Sequence, residues 1–402
     1  MIFTWKIRGA MLYLALLMPL MIIFRAVTVL KINKYYKSIL IFLTLAAAFK
    51  FQIVYFFGGP MFFAPDLPPA ILVAASWVYA VAVSFFVLLA AAEIILLIYR
   101  VLIKIQRKKL PENFRHHNNT GNLVLLCLSA MLAAWVIFSG MRQPAIKNLV
   151  INDEDLPQQA ENMRIVLLAD LHIDRINSGS KIEQIVAKTN ALKPDLIIIA
   201  GDIVDGTLSQ RKNDVQILQK LSAKYGVFGV PGNHEYFSGY ADWMKFFKQI
   251  NLQMLENTHV KLPNNIYLAG ITDLAAKRRN LPVPDVEKAV QGIDKKEFVL
   301  LMSHRPSEAV KAAELGVDLT LSGHTHGGMI RGFDLIVARF NDNFVAGLYQ
   351  INDLKLYVSN GTMIWNGFPF RLGRSSEITL ITLKNGKKQA LFPHQPLSFE
   401  KI

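Results

Sequence analysis

Cysteine is nearly absent from this chain, since Cys127 is the only one among 402 residues. A single thiol excludes an internal disulfide, and it excludes a thiolate cluster that would bind a metal or carry redox chemistry. Cys127 lies within an apolar stretch, so cysteine usage does not indicate a redox compartment.

Export signals are also missing. No twin-arginine pair precedes the first apolar run, and no cleavage site of small residues follows it. We therefore expect this run to remain in the mature chain as a membrane anchor.

Acidic residues are scarce in the first 150 positions, which hold 3 of them against 15 lysines and arginines, and the remaining residues carry a net charge of only +2. The basic excess borders apolar segments, which indicates membrane topology, and no nucleic-acid partner is expected. If loops 25–38 and 100–121 face the cytoplasm, ten basic residues lie there against four on the other side. This asymmetry predicts that both termini lie on the outer or periplasmic face.

Long apolar runs are abundant, in keeping with a mean hydropathy of +0.30. Four stretches approach or exceed the ~18 residues that cross a bilayer as a helix: Ala10–Leu30, Ile39–Phe57, Ala70–Tyr99 and Leu123–Gly140. The sequence thus predicts a multi-pass region of the cell (inner or cytoplasmic) membrane over 1–140, a linker or leading strand over 141–163, and a globular domain over 164–402. Lys50 lies inside a predicted span, where it must pair or extend to the interface, and Glu93 in the third span either pairs with Lys50 or lies near a helix end.

The pattern changes after Met163 to short aliphatic runs separated by helical stretches, which is typical of a layered α/β domain. The predicted strands are Arg164–Ala169, Leu196–Ala200, Val227–Val230, Phe298–Met302 and Leu319–Leu321, and the predicted helices include Lys181–Ala191 and Asp214–Lys224. The fold class is therefore all-α transmembrane helices followed by an α/β domain.

A polar cluster follows nearly every one of these strands. The clusters are Asp170-Leu-His172, Gly201-Asp202, Gly232-Asn233-His234-Glu235, Ser303-His304 and Gly323-His324-Thr-His326, and they hold five of the nine histidines. Strand ends are where open α/β sheets place their sites. Ligands of this kind without thiolates suit Mn, Fe or Zn ions, so the sequence predicts a metal centre.

These motifs, in this order, resemble the five-motif signature of the calcineurin-like metallophosphoesterases over about 164–383, and most closely the bacterial membrane-anchored branch. The resemblance implies an α/β/β/α-type domain with two divalent metal ions that cleaves a phosphoester or pyrophosphate bond by in-line attack of a metal-bound hydroxide. It implies that Asp170, His172 and His326 bind the first ion, that Asn233, His304 and His324 bind the second, and that Asp202 bridges both. It further implies that His234 donates a proton to the leaving group and that Asp205 orients His234.

Gly206 stands where related protein phosphatases carry a phosphate-binding arginine, which argues against a phosphoprotein substrate. Arg305, Arg371 and Arg374 are candidates for substrate binding instead. Two aromatic groups, one at 243–247 and one at 365–370, either contact lipid or pack in the core. The substrate is expected to be a lipid-linked or other membrane-associated phosphoester, and the alternatives are a phosphodiesterase for soluble nucleotides and a non-catalytic membrane receptor module.

Overall fold

A computed structural model describes residues 15–58, 65–108 and 119–386 of this chain. The chain forms two compact units, Met1–Phe138 and Ser139–Ile402. The sequence-based boundaries at 140 and 163 remain a prediction.

The N-terminal unit consists of helices. They are α1 (Ala15–Val27), α2 (Lys34–Ala48), α3 (Lys50–Gly58), α4 (Pro69–Ile105) and α5 (Asn119–Met141). Helices α4 and α5 are each long and apolar enough to cross a membrane. Helices α2 and α3 meet at a bend of 73°, and they add a third span if the bent pair is one membrane span. Four spans therefore remain a prediction, and the first predicted stretch begins among residues 1–14, outside the described part of the chain.

The charged side chains inside these helices have partners within the unit. Lys50 Nζ lies 3.0 Å from Ser76 Oγ, and an Arg25 Nη lies 2.9 Å from a Glu93 carboxylate oxygen. Lys50 thus contacts Ser76 and Glu93 contacts Arg25, and a pair between Lys50 and Glu93 was one of the alternatives that the sequence offered. Such local pairing reduces the cost of placing a charge among apolar helices.

The second unit contains two six-stranded mixed sheets. The strands are β1 (Ala145–Asp153), β2 (Arg164–Leu168), β3 (Leu196–Ala200), β4 (Val227–Val230), β5 (Leu252–Met254), β6 (Thr258–Lys261), β7 (Tyr267–Gly270), β8 (Val299–Met302), β9 (Leu319–Ser322), β10 (Gly347–Ile351), β11 (Leu354–Val358) and β12 (Glu377–Asn385). One sheet has the order β1-β12-β2-β3-β4-β5, and the other has the order β10-β11-β9-β8-β7-β6.

Short helices connect these strands. They are α6 (Ser180–Ala191), α7 (Leu208–Gln216), α8 (Asn233–Ser238), α9 (Tyr240–Gln249), α10 (Val286–Ala289), α11 (Ala309–Glu314) and α12 (Asp334–Ala338), with 3-10 turns at Gln158–Ala160, Ile217–Lys220, Leu274–Arg279, Pro306–Glu308 and His326–Gly328. One apolar core lies between the two sheets, and one further core covers the outer face of each sheet beneath its helices. This layering confirms the predicted α/β/β/α-type fold.

Parallel pairing brings the functional strand ends to one edge in each sheet. Strands β2, β3 and β4 pair in parallel in the first sheet, and β8 and β9 do so in the second. The carboxyl ends of parallel strands meet at the same edge, which is where loops converge to form a site.

One helix prediction was wrong in its position. We expected a helix over Asp214–Lys224, whereas α7 ends at Gln216 and a 3-10 turn follows. The helix begins early because Thr207 and Gln210 form a capping box at its N-terminus, which satisfies backbone N–H groups that would otherwise lack partners.

Candidate metal centre

The seven predicted ligands lie in the loops that follow five parallel strands. Asp170 and His172 follow β2, Asp202 follows β3, and Asn233 begins α8 after β4. In the second sheet, His304 follows β8, and His324 and His326 follow β9. All seven side chains are buried or nearly so, and the structure therefore brings the whole predicted set to one place.

Three of these side chains form a first donor group. Asp170, His172 and His326 can each direct one ligand atom to within 4.8 Å of the others. His172 Nε2 lies 3.1 Å from His326 Nε2, which in turn lies 3.7 Å from Asp170 Oδ1. These nitrogens and oxygens face a common point, as ligands of one cation do.

A second donor group lies beside the first. His304 Nε2 lies 3.1 Å from His324 Nδ1 and 3.3 Å from Asn233 Oδ1. The carboxylate of Asp202 completes this group. Its Oδ2 lies 3.3 Å from His304 Nε2 and 3.7 Å from His172 Nε2, so the same oxygen reaches a histidine of each group.

Hydrogen bonds behind two histidines set the nitrogens that face the centre. His172 Nδ1 lies 3.1 Å from Asp205 Oδ2, and His304 Nδ1 lies 2.8 Å from the carbonyl oxygen of Ala200. Both partners are acceptors, so each Nδ1 carries a proton and each Nε2 faces the centre, where a bound cation would replace any second ring proton. Metal-binding histidines are held in this way.

The backbone at the site is strained. Five of the seven predicted ligands have positive φ angles: Asp170 (55°), His172 (41°), Asp202 (50°), His324 (72°) and His326 (49°). Left-handed backbone costs a residue with a Cβ of order 1–3 kcal/mol and concentrates at functional sites. The fold therefore gives up stability to aim these side chains at one point.

Glycines allow the ligand loops to interlock. A Cβ at Gly232 would lie 2.2 Å from Asp202 Oδ1, and one at Gly323 would lie 2.7 Å from Asp170 Oδ2. Each glycine thus makes room for a ligand that comes from another strand. This close approach explains the glycines that precede the ligands in the sequence.

Asp205 contacts two imidazoles at once. One carboxylate oxygen contacts His172 Nδ1 and the other contacts His234 Nδ1. Burial by itself lowers the pKa of His234, but the carboxylates of Asp205 and Asp202 outweigh burial and raise it to about 9. His234 Nε2 lies 3.8 Å from Asp202 Oδ2, on the side of the metal centre.

Glu235 is a site residue that the sequence reasoning missed. Its buried carboxylate accepts hydrogen bonds from the backbone N–H groups of Asp202, Ile203, Val204 and Gly232 at 2.6–3.1 Å. Burial and the charge of Asp202 raise the pKa of Glu235 to about 7. Its side chain fixes the turn that carries Asp202, and its place in the Gly-Asn-His-Glu motif was the available signal.

Arg305 lies at the second donor group and is held by a carboxylate that the sequence reasoning also missed. Its Nε and one Nη donate to the buried Asp273 at 2.6 and 3.4 Å. The same guanidinium contacts Asn233 Oδ1 at 3.2 Å and His324 Nε2 at 2.8 Å. No motif in the sequence links Asp273 to this centre.

The two other candidate arginines have different surroundings. Arg371 is buried and donates to the backbone carbonyl oxygens of His326, Asn360 and Met363 at 2.7–3.2 Å. Arg374 forms a 2.5 Å ion pair with Asp334. The structure thus places Arg371 behind the loop of His326 and Arg374 in the ion pair with Asp334, and their role in substrate binding remains a prediction.

The aromatic group on α9 packs in the core. Trp243, Phe246 and Phe247 are all buried, and the Trp243 indole N–H donates to the carbonyl oxygens of Gly206 and Ser238. This settles the choice that the sequence left open, because these rings are not available to lipid. In the second group, Trp365 is half-buried and its ring centroid lies 6.0 Å from that of His234.

The residues present fit divalent cations. Burial and the neighbouring charges of Arg305 and His304 hold the pKa of His324 well below its ordinary value, and burial with the charge of His172 does the same for His326. Neutral imidazoles and carboxylates are the ligands that Mn, Fe and Zn ions accept. Two such groups that share one carboxylate match a binuclear site.

Comparison with known proteins identifies the family. Residues 163–328 match the family model described as calcineurin-like phosphoesterase. An uncharacterised metallophosphoesterase of Campylobacter jejuni is 33% identical over 268 residues, which are 66% of this chain and 70% of that protein. The chain belongs to the calcineurin-like phosphoesterase family. Members of this family are metal-dependent phosphoesterases that use a binuclear divalent metal centre.

Similar proteins also occur in animals. The zebrafish (Danio rerio) "Transmembrane protein with metallophosphoesterase domain" is 33% identical over 65% of this chain, and the match spans 62% of that protein. Among solved structures, the NAD nucleotidase of Haemophilus influenzae matches 50% of each chain with 17% identity and a TM-score of 0.35. A structural likeness this weak carries no argument about substrate.

Proposed function

We propose that this chain is a membrane-anchored di-metal phosphohydrolase that acts on a lipid-linked or other membrane-associated phosphoester or pyrophosphate. One observation supports the binuclear assignment above all others. A single oxygen of Asp202 lies within 3.3–3.8 Å of imidazole nitrogens from His172, His234 and His304, with donors on both sides.

The proposed ligand sets follow the two donor groups. Asp170, His172 and His326 would hold one ion, and Asp202 would contact both ions. Asn233, His304 and His324 would hold the other. When bound, the two cations supply Lewis-acid activation of the phosphoester and neutralise the charge that develops during transfer.

His234 is proposed to move the proton in this reaction. When the P–O bond of the ester breaks, the leaving oxygen takes the proton from His234 Nε2, while the oxygen of water joins phosphorus. The water releases one proton to solvent, and His234 regains a proton from solvent. Asp205 holds the Nδ1 side of the ring and so directs Nε2 towards the centre. The carboxylates of Asp205 and Asp202 outweigh burial and raise the pKa of His234, which favours the protonated ring that a general acid needs.

Arg305 is proposed to bind the substrate phosphate. In the structure His324 Nε2 accepts a hydrogen bond from Arg305, so the proton of a neutral His324 lies on Nδ1. If Nδ1 binds a cation, that proton must move to Nε2, and Arg305 can no longer donate there. Asp273 still holds the guanidinium, which then has a free N–H edge for a phosphate oxygen.

Membrane anchoring is supported by α4 and α5, which are long and apolar enough to span a bilayer. The zebrafish relative also bears the name of a transmembrane protein. We propose an integral multi-pass protein of the cell membrane with its catalytic unit on the outer face, because the basic residues concentrate in loops 25–38 and 100–121. A reporter that is active on one side only, fused after Ile402, tests this orientation.

The activity is tested on the full chain in detergent with Mn²⁺ and a chromogenic phosphodiester. We expect wild-type protein to hydrolyse the ester, Asp202→Ala to lose metal and activity together, and His234→Ala to keep its metal with kcat lowered by roughly 10²–10⁴. His259→Ala is the matched control, because His259 lies outside the centre and contacts the carbonyl oxygen of Ala289. Wild-type protein that binds no metal would contradict the proposed function.

A further inference from the structure

An exposed apolar surface lies on the catalytic unit directly after the last metal-ligand motif. It consists of Phe333, Leu335, Ile336 and Phe340, and we name it the 333–340 patch. Their exposed fractions are 45%, 77%, 51% and 46%, and none of the residues of α12 is buried. Elsewhere among residues 139–386, exposed large hydrophobic side chains are scattered, as at Val310.

A cluster of this kind requires an explanation. Single exposed apolar residues are ordinary, but a contiguous group on a soluble surface marks a site that contacts another molecule or a membrane. Leu335 and Ile336 are neighbours in a helix of five residues, so a local core cannot cover both of them.

The patch is fixed in place. Asp334 within it forms the ion pair with Arg374, and the ring of Phe333 stacks on that of Phe368 at 6.5 Å. The backbone of Asp334 also approaches Gly328 so closely that a Cβ there would lie 2.5 Å from the Asp334 Cα. The apolar side chains are therefore presented by a braced loop.

The residues that hold the patch in place also connect it to the metal centre. Gly328 lies two residues after the predicted ligand His326. Arg371, in the loop that also carries Phe368 and Arg374, donates to the carbonyl oxygen of His326 at 3.2 Å. Whatever covers the 333–340 patch is thus held next to the reacting centre.

A bilayer surface is the occupant that these residues fit. Exposed Arg331 and Arg339 flank the apolar side chains, and such arginines contact anionic lipid headgroups while apolar neighbours enter the boundary of the acyl chains. The proposed membrane anchor also keeps the catalytic unit close to a bilayer. Helix α5 ends at Met141 and β1 begins at Ala145, so the connection is at most roughly 10–14 Å long.

We infer that the 333–340 patch inserts into the interface of a lipid bilayer and thereby holds the metal centre at the level of the headgroups. This inference rests on the proposed membrane anchoring, and it narrows the substrate class. The scissile phosphate would belong to an amphiphile that stays in the bilayer while it is cleaved.

The test places a fluorescent label on the full chain in vesicles of phosphatidylethanolamine and phosphatidylglycerol. Cys127→Ser removes the only native thiol, and Leu335→Cys or Val310→Cys then provides one labelling position. Val310 is the matched control, since it is apolar, 45% exposed and lies in α11. We expect doxyl-labelled lipids to quench the label at 335 several-fold more strongly than the label at 310.

Two results would overturn the inference. Quenching by lipid at 335 that is as weak as at 310 would show that the patch stays in water. A label at 335 that is shielded from aqueous iodide but not quenched by lipid would show that a protein surface, such as a second copy of the chain, covers it.

An activity measurement separates this inference from the proposed function. Leu335→Asp should lower hydrolysis of a vesicle-held phosphoester by about ten-fold and leave hydrolysis of the soluble chromogenic diester unchanged. A wild-type protein without activity on either substrate would contradict the proposed function. The quenching result would still show whether the patch inserts into lipid.

Discussion

Asp205 offers a sharp test of how the site is organised, because one buried carboxylate serves two imidazoles. Replacing it by asparagine keeps the shape but leaves one acceptor oxygen and one NH₂ donor. If the oxygen faces His172, then His234 must accept at Nδ1 and becomes a neutral, weak acid at Nε2. If the oxygen faces His234, then His172 must accept at Nδ1, and its proton occupies the Nε2 that lies 3.1 Å from His326 Nε2.

The size of the effect follows from this conflict. Each charge-assisted hydrogen bond contributes roughly 1.5–3 kcal/mol, and either orientation loses one of them together with the negative charge. General acid catalysis itself contributes roughly 10²–10⁴-fold. We therefore expect Asp205→Asn to lower kcat by about 10²–10⁴, with a KM close to that of the wild type when both metals are bound.

The assay combines steady-state hydrolysis of a phosphodiester by the full chain with metal analysis of the same sample. Asp195→Asn is the control, because Asp195 accepts the backbone N–H of Arg164 at the opposite end of the strands. Full kcat in Asp205→Asn with both metals present would refute the assignment of Asp205, as would an equal loss in the control.

Three further predictions follow from the same geometry. Gly232→Ala should abolish metal binding, because its Cβ would lie 2.2 Å from Asp202 Oδ1, and metal analysis checks this. Asp273→Ala should raise KM about ten-fold, because Arg305 loses its anchor, while kcat changes little. In metal-free protein, the raised pKa of His234 contributes about 3 kcal/mol of stability below pH ~6.5. This contribution is lost as the pH rises through about 9, which denaturation at several pH values measures.

Each of these predictions has its own control. Gly232 has a φ of −93°, so an alanine there meets the collision without left-handed backbone strain. Gly316→Ala places a Cβ in open space at a positive φ, so it should retain metal, and equal loss there would mean that the collision with Asp202 is not the cause. An unchanged KM in Asp273→Ala would contradict the proposal that Arg305 binds the substrate. The pH dependence should flatten in metal-free Asp205→Asn, and an unaltered slope would contradict the account of His234.

The ligand positions could be predicted from the sequence because strand periodicity and position carried the information. Each ligand follows an aliphatic run that is too short for a helix and is typical of a buried strand. Parallel strands bring their carboxyl ends to the same edge of a sheet. The glycines were informative for the same reason, since Gly232 and Gly323 stand where a Cβ would collide with a ligand from another strand.

Partners that are distant in sequence could not be predicted. Asp273 contacts Arg305 across 32 positions, and nothing in either local sequence encodes that pair. The position of β12 between β1 and β2, parallel to one and antiparallel to the other, likewise depends on the packing of the whole domain. In the N-terminal unit, Glu93 contacts Arg25 of another helix, and which helix supplies such a partner depends on how the helices pack.

The measurement that tests the central claim most directly is electron paramagnetic resonance of the full chain loaded with Mn²⁺, together with metal analysis. Two donor groups that share Asp202 predict two manganese ions per chain, roughly 3.5–4 Å apart, with an exchange-coupled spectrum. Asp202→Ala should abolish the coupled signal. A single uncoupled Mn²⁺ in wild-type protein, or no bound metal at all, would contradict the binuclear centre.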